Sequence, residues 1–307
     1  MEIKGKNVIV TGGAGFIGSN LVDKLAKDNK VYVIDNMHTG SEENLTEAMK
    51  TGNVSLIKDD SKNIRNHNID ADIVFHLGIY SASPMYRENP LLISEVVAGM
   101  ISVLEYAKEH NATVVFASTS SIYNGVKPPH KEDVIPGVTD YYTEARIAAE
   151  RVSELYAKLH SVNVAAMRFF SVYGRHEAAK KGYANLVTQF ILNIKNNEQP
   201  VIYGDGTQKR DFVRAEDVAN ALMLATKIKG FDVFNVGTGK NYSLNEAIEK
   251  INSAMGKDIK PKYIPMPIKN YVMETLADTK KSEEKLGFKA AIDLDKGIKM
   301  QVDEYGV

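Results

Sequence analysis

Short runs of aliphatic and β-branched residues recur through the first half of the chain, at 8–11, 31–35, 54–57, 73–77, 114–117 and 164–169. Runs of this length bounded by turn residues read as strands. Between them, 44–50, 90–110 and 142–160 carry apolar positions at helical spacing. Strands alternating with helical crossovers predict an α/β fold with a parallel, doubly wound sheet. After Gly174 the texture changes. A helix is expected at 185–195, with short strands at 201–203 and 212–214, then a stretch carrying Pro261, Pro265 and Pro267. The expected division is a sheet domain of residues 1–174, with 212–238 returning to it. A smaller α/β domain then comprises 175–211 and 239–307. No repeat or low-complexity tract separates the two, so they should pack tightly around a cleft.

Composition narrows the chemistry. The 307 residues are 44% hydrophobic and 25% charged, ordinary for a globular protein, and no stretch approaches the roughly 20 apolar residues of a membrane span. With no signal-peptide pattern ahead of the first strand, a soluble cytoplasmic protein is expected. Cysteine is absent, which excludes disulfides, thiolate metal sites and thiol catalysis. The seven histidines show no paired spacing such as H-E-x-x-H, so no metal is expected. The net charge is -1, with Lys and Arg dispersed, which leaves no footprint for nucleic acid or a membrane surface.

The first strand runs into Gly12-Gly13-Ala14-Gly15-Phe16-Ile17-Gly18 and then an amphipathic helix. Gly12 permits the tight turn, Gly15 lets backbone N–H groups approach a pyrophosphate, and Gly18 allows close packing of helix on strand. Asp35 ends the second strand, where a carboxylate can accept from both adenosine ribose hydroxyls. It would repel a 2′-phosphate, which favours NAD over NADP. Asp60 follows the third strand and reads either as an acceptor for the adenine amino group or as a solvated loop acid. Asn36, Ser61 and Leu77 complete the expected cofactor set, while His76 reads as structural.

The strand at 114–117 opens into Ser118-Thr119-Ser120-Ser121-Ile122-Tyr123, placing hydroxyls at the carboxyl end of a parallel strand, where such sheets bind ligands. Further on, Tyr142 and Arg146 stand four apart in a helical stretch and so share a face, whereas Tyr141 has only Ala145 at that offset. A fixed cation beside a phenol favours the phenolate, which makes Tyr142 a candidate general base.

Taken together, TGGAGFIG at 11–18, Asp35, ASTSSIY at 117–123, the stretch 142–150, RFFSVYG at 168–174 and GDGTQKRDFV at 204–213 resemble the extended short-chain dehydrogenase/reductase family. Within it they are similar to the UDP-glucose 4-epimerase group, over essentially the whole chain. The resemblance implies a Rossmann-type domain binding NAD and a smaller domain binding a UDP-sugar. In that mechanism Tyr142 takes the sugar 4-hydroxyl proton while hydride moves to NAD, and a 4-keto sugar turns over before reduction on its other face. Thr119 would hydrogen-bond the sugar oxygen, with Ser120, Ser171, Tyr203, Arg210, Lys269 and Thr275 completing the substrate set. Members of the family commonly dimerise through the helices placed here at 90–110 and 142–160, so a homodimer is expected.

Three positions depart from the pattern. Arg146 replaces the family's catalytic lysine and Ser171 its usual asparagine. No arginine precedes Ala277-Asp278, where Lys269 is the nearest cation. Thr275 lies close to the position that controls room beside the sugar 2-substituent, and its small side chain suits an N-acetyl group. Sugar 4,6-dehydratases carry Asp-Glu after the hydroxyl that matches Thr119, whereas this chain has Ser120 and Ser121. UDP-glucuronate decarboxylases share 76–77, 82–84, 89–90 and 117–120 but carry glutamate where Ser121 stands. Decarboxylation or 4-epimerisation of UDP-glucuronate is therefore one alternative. A non-catalytic NAD or nucleotide-sugar binder, motivated by Arg146, is another.

Overall fold

The computed structural model describes residues 3–267 and 271–306, so Lys269 lies outside the described residues. Seven strands form one parallel sheet: β1 (Asn7–Thr11), β2 (Lys30–Ile34), β3 (Val54–Ile57), β4 (Ile73–His76), β5 (Thr113–Thr119), β6 (Val164–Phe169) and β7 (Phe231–Val236). Their order is β7-β6-β5-β4-β1-β2-β3. The sheet is thus wound outward in both directions from β1 and β4, a Rossmann-type doubly wound arrangement. At such a reversal the loops diverge and leave a crevice at the carboxyl ends of the strands.

The near-continuous apolar runs arise because the strands are covered on both faces: every residue of β4 and β6 is buried. Successive side chains alternate between two cores. Val8 and Val10 pack with Leu21 and Leu222 on one face, while Ile9 packs with Val103 and Leu104 on the other. The first face holds the helices Phe16–Leu25 and Ala215–Ala225, which pack on each other. The second holds Leu92–His110 and Tyr141–His160, also paired.

A third core of Val187, Phe190, Ile202, Phe212, Ile248 and Ile298 marks a smaller lobe. It is built from the helices Leu186–Lys195, Leu244–Met255 and Leu294–Glu304 and the parallel pair Val201–Tyr203 with Lys262–Ile264. The helix expected at 44–50 is instead a 3₁₀ turn, Glu42–Leu45, and one helical turn, Thr46–Met49. Asn185 caps the following helix rather than entering it, its side-chain oxygen accepting from Val187 N–H at 3.2 Å.

A buried ion pair ties the sheet to the Tyr141–His160 helix. Arg168 on β6 donates through Nε and Nη2 to Glu150 Oε1 and Oε2 at 2.9 and 2.7 Å. Ser118 Oγ donates to the same carboxylate at 2.5 Å. Both charged side chains are under a tenth exposed, so losing one partner strands the other charge out of water. We expect Glu150→Ala to lower unfolding free energy by about 3–5 kcal/mol. Urea denaturation measures this, and a loss below about 1 kcal/mol, the scale of an exposed pair, would contradict it.

Candidate active site

The crevice at the switch between β1 and β4 opens into a cleft of about 370 Å³. Bare backbone forms its floor. Gly12 has φ +68°, and a Cβ there would lie 2.5 Å from Gly78 N. A Cβ on Gly18 would lie 2.1 Å from Gly12 O. The N-cap of the Phe16–Leu25 helix is Gly15, which has no side chain to satisfy the first N–H groups, and no acidic residue occupies the first turn. Those N–H groups and the positive end of the helix dipole are left for an anion.

Asp35 stands beside this turn, buried. Its Oδ2 accepts from Ala14 N–H at 2.9 Å and its Oδ1 from Met37 N–H at 2.8 Å. Burial raises its pKa, and the backbone N–H bonds oppose that rise. Asp60 lines the cleft and also caps a 3₁₀ turn, accepting from Lys62 N–H at 3.0 Å, and from Asn36 Nδ2 at 3.3 Å. Phe16, Ile17, Ser61 and Leu77 line the same cleft, as does His76.

At the other end, Thr119 closes β5. Its Oγ1 accepts from Ser121 N–H and donates to Ser121 Oγ, both at 3.1 Å. Tyr142 is the second residue of its helix, whose start is fixed by Asp140: Oδ1 accepts from Thr143 N–H at 2.8 Å and Oδ2 from Ser83 Oγ at 3.1 Å. The Tyr142 ring meets buried Tyr86 edge-on at 5.4 Å, and the Arg146 guanidinium lies 5.1 Å from its centroid. Arg146 is 2% exposed. Nη1 donates to Ala117 O at 3.0 Å and Nη2 to Tyr80 O at 2.8 Å, while Nε is buried without a partner. The planar fork bridges the end of β5 and the loop after β4, a task for which a lysine ammonium has the wrong shape.

Ser120 and Ser171 join the cleft lining, whereas Tyr203, Arg210 and Thr275 lie outside it. Tyr203 is exposed. Arg210 stacks on Tyr271 at 5.1 Å and donates to Lys209 O at 2.8 Å. Thr275 is buried, its Oγ1 accepting from Asp211 N–H at 3.2 Å. Lining residues that the sequence reading does not reach include Tyr80, Met85, Glu177, Lys180, Tyr183 and Asn185. Asn185 had a usable signal, a capping residue ahead of an apolar helix. The others have no local pattern: Tyr80 and Met85 reach the cleft from the segment after β4, and Glu177, Lys180 and Tyr183 from the Glu177–Tyr183 turn. Among the described residues there is no group of His, Asp and Glu placed to hold a metal, and no helix long and apolar enough to cross a membrane.

This geometry can be set beside known proteins. Residues 8–237 match the NAD dependent epimerase/dehydratase family. The chain belongs to that family. Within this epimerase/dehydratase family, a putative UDP-glucose 4-epimerase of Methanocaldococcus jannaschii is 33% identical over 302 residues, spanning 96% of this chain and 97% of that protein. A solved UDP-N-acetylglucosamine 4-epimerase of Methanobrevibacter ruminantium M1, in complex with UDP-N-acetylmuramic acid, superposes with a TM-score of 0.93 at 32% identity, over 99% of each chain. MoeE5, in complex with UDP-glucose and NAD, superposes with a TM-score of 0.85 at 31% identity, over 98% of each chain.

His76 provides a pH test of the site's floor. Its Nδ1 lies 2.7 Å from Thr11 Oγ1, which also accepts from Gly78 N–H at 3.1 Å. Burial, helped by the Arg146 charge, pushes its pKa down from 6.5 to about 3. Between those two values the unfolded chain carries a proton that the folded chain excludes. The stability contributed by neutral His76 is therefore full above pH 6.5 and is lost as pH falls toward 3, with a slope of up to about 1.4 kcal/mol per pH unit. His76→Gln should flatten the stability–pH curve over that window by about one proton; an unchanged slope would show that His76 titrates normally.

Proposed function

We propose that this chain is an NAD-dependent UDP-hexose 4-epimerase, acting in the cytoplasm as a homodimer. The observation that carries the reading is the meeting of the Tyr142 phenol, the Thr119 hydroxyl and the Arg146 guanidinium in the same cleft as the open helix N-terminus and Asp35. The helix N-terminus at Gly15, without a side-chain cap, fits a ligand whose diphosphate rests directly on backbone N–H groups. In this reading Gly12, Gly15, Phe16, Ile17 and Gly18 hold the diphosphate, and Asp35, Asn36, Asp60 and Ser61 hold the adenosine. Leu77, Tyr142 and Arg146 flank the nicotinamide end. NAD, when bound, supplies a reversible hydride acceptor. Tyr142 Oη removes the sugar 4-hydroxyl proton as the C4–H bond breaks, keeps it while the 4-keto sugar turns, and returns it. Thr119 Oγ1 orients that oxygen, and Arg146 offers a fixed positive charge beside the phenolate that takes the proton.

The sugar is assigned to the glucose/galactose pair or its N-acetylated counterpart, with Ser120, Ser171, Tyr203, Arg210, Lys269 and Thr275 on the substrate side. The likeness to 4-epimerases bound to UDP-sugars supports this. Serine at 121 deprives a decarboxylase of its glutamate. Leu91, Leu155 and Leu159, exposed on or beside the paired helices, support a dimer through that face.

Product analysis by chromatography with UDP-galactose, UDP-glucose, their N-acetyl counterparts and UDP-glucuronate tests the proposal. Interconversion of 4-epimers is expected, falling by roughly 10²–10⁴-fold in Tyr142→Phe. A UDP-pentose product, or no turnover of any UDP-hexose, would contradict it. Arg146→Lys keeps the charge but loses the two-carbonyl bridge, so kcat should fall about tenfold. A gain in kcat would show that the bridge is dispensable.

A further inference from the structure

We propose that Lys180, presented by the smaller lobe, supplies the counter-charge for the diphosphate of the dinucleotide seated at the N-terminus of the Phe16–Leu25 helix. This rests on the cofactor reading above. The charges along the cleft make the case. Among the described residues its lining holds four carboxylates, Asp35, Asp60, Glu95 and Glu177, but two permanent cations, Arg146 and Lys180. A dinucleotide brings a further diphosphate into this acid-rich lining, and a helix N-terminus carries only about half a positive charge.

Arg146 cannot serve that end of the cleft. It is held beneath the Tyr142 ring by the carbonyls of Ala117 and Tyr80. Lys180 is half-buried, and its Nζ lies 5.7 Å from the centroid of the Phe16 ring. Phe16 is the first residue of the helix whose N-cap, Gly15, provides no side-chain cap. Among the described residues no salt bridge is formed by Lys180; its charge does act on the buried Glu177 carboxyl, opposing the rise in pKa that burial causes.

The segment bearing Lys180 is anchored. Glu177, at the start of the Glu177–Tyr183 turn, is buried and accepts from Asn185 N–H at 2.8 Å and Thr188 Oγ1 at 2.5 Å. The lysine is therefore offered across the cleft from one lobe to a helix N-terminus on the other. Lysine binds phosphate as a point charge and needs no planar fork. Bound dinucleotide would then bridge the lobes, with Lys180 as the small-lobe contact.

Isothermal titration calorimetry on nucleotide-free native protein, Lys180→Met and Lys180→Arg, with NAD and with UDP at low and high salt, tests this. Methionine keeps an unbranched side chain of similar length without the charge. We expect Lys180→Met to weaken NAD about ten- to hundredfold and to reduce the salt dependence of binding. Lys180→Arg should restore most of the affinity, and UDP should bind all three proteins alike. Unchanged NAD affinity in the methionine variant would overturn the proposal. So would a loss confined to UDP, which would assign Lys180 to the substrate diphosphate, or equal losses for both ligands with a lowered melting temperature, which would make it structural. If native protein fails to bind NAD, the cofactor reading falls and this proposal with it; native binding without an effect at Lys180 refutes the proposal alone.

Discussion

Where β1 ends, the chain turns so tightly that neither Gly12 nor Gly18 has room for one more carbon, and the cleft is organised around that turn. The tight turn drops the Phe16–Leu25 helix onto the sheet with its uncapped end at the carboxyl edge. It also lets the loop after β4 pass over bare backbone, since Gly78 is what a Cβ at Gly12 would strike. From there the consequences spread sideways. Asp35 reaches back to Ala14 N–H and fixes the turn to β2. Thr11 and His76 join β1 to β4. The loop carrying Tyr80 arrives where Arg146 can hold it against the end of β5. A sheet whose order reverses between β1 and β4 supplies the crevice, and the glycine turn forms its floor.

The two buried arginines near the site have opposite electrostatic situations. Arg168 is neutralised by Glu150, and each nitrogen of its guanidinium has a partner. Arg146 is equally buried but, among the described residues, is met by carbonyl dipoles and an aromatic face without a carboxylate, and its Nε has no partner. Burying a cation without a counter-ion is costly, and such arrangements concentrate at functional sites. In the proposed reaction Tyr142 takes the sugar proton as a phenolate, and that phenolate would be the missing counter-charge.

The sheet was legible because β-branched runs buried on both faces leave little choice of structure, and the glycine turn because its steric demands fix both residue type and spacing. Tyr142 and Arg146 could be paired from helical spacing alone. The route taken by the guanidinium could not, since its carbonyl partners at 80 and 117 lie far off in sequence. The smaller lobe was the least legible. Its helices are short and amphipathic, although Ser243 and Glu246 form a full capping box at the start of Leu244–Met255, an S-x-x-E signature visible in the sequence. Lys180 was invisible for a different reason: a lysine in a loop is ordinarily solvated, and only the folding of one lobe over the other sets it beside Phe16. Arg210 and Thr275 illustrate the converse. Their sequence context suggests substrate contacts, and the fold sets them beside Tyr271 and the Asp211 backbone rather than in the cleft lining, a placement no local pattern foretells.

The central claim is that the carbon bearing the 4-hydroxyl is oxidised and then reduced on its opposite face without its hydrogen reaching solvent. The most direct measurement follows a UDP-hexose carrying deuterium at C4 through turnover by the native protein in ordinary water. The account predicts that the 4-epimer forms with the deuterium still at C4. Replacement of that label by solvent hydrogen, or the absence of any 4-epimer, would contradict it.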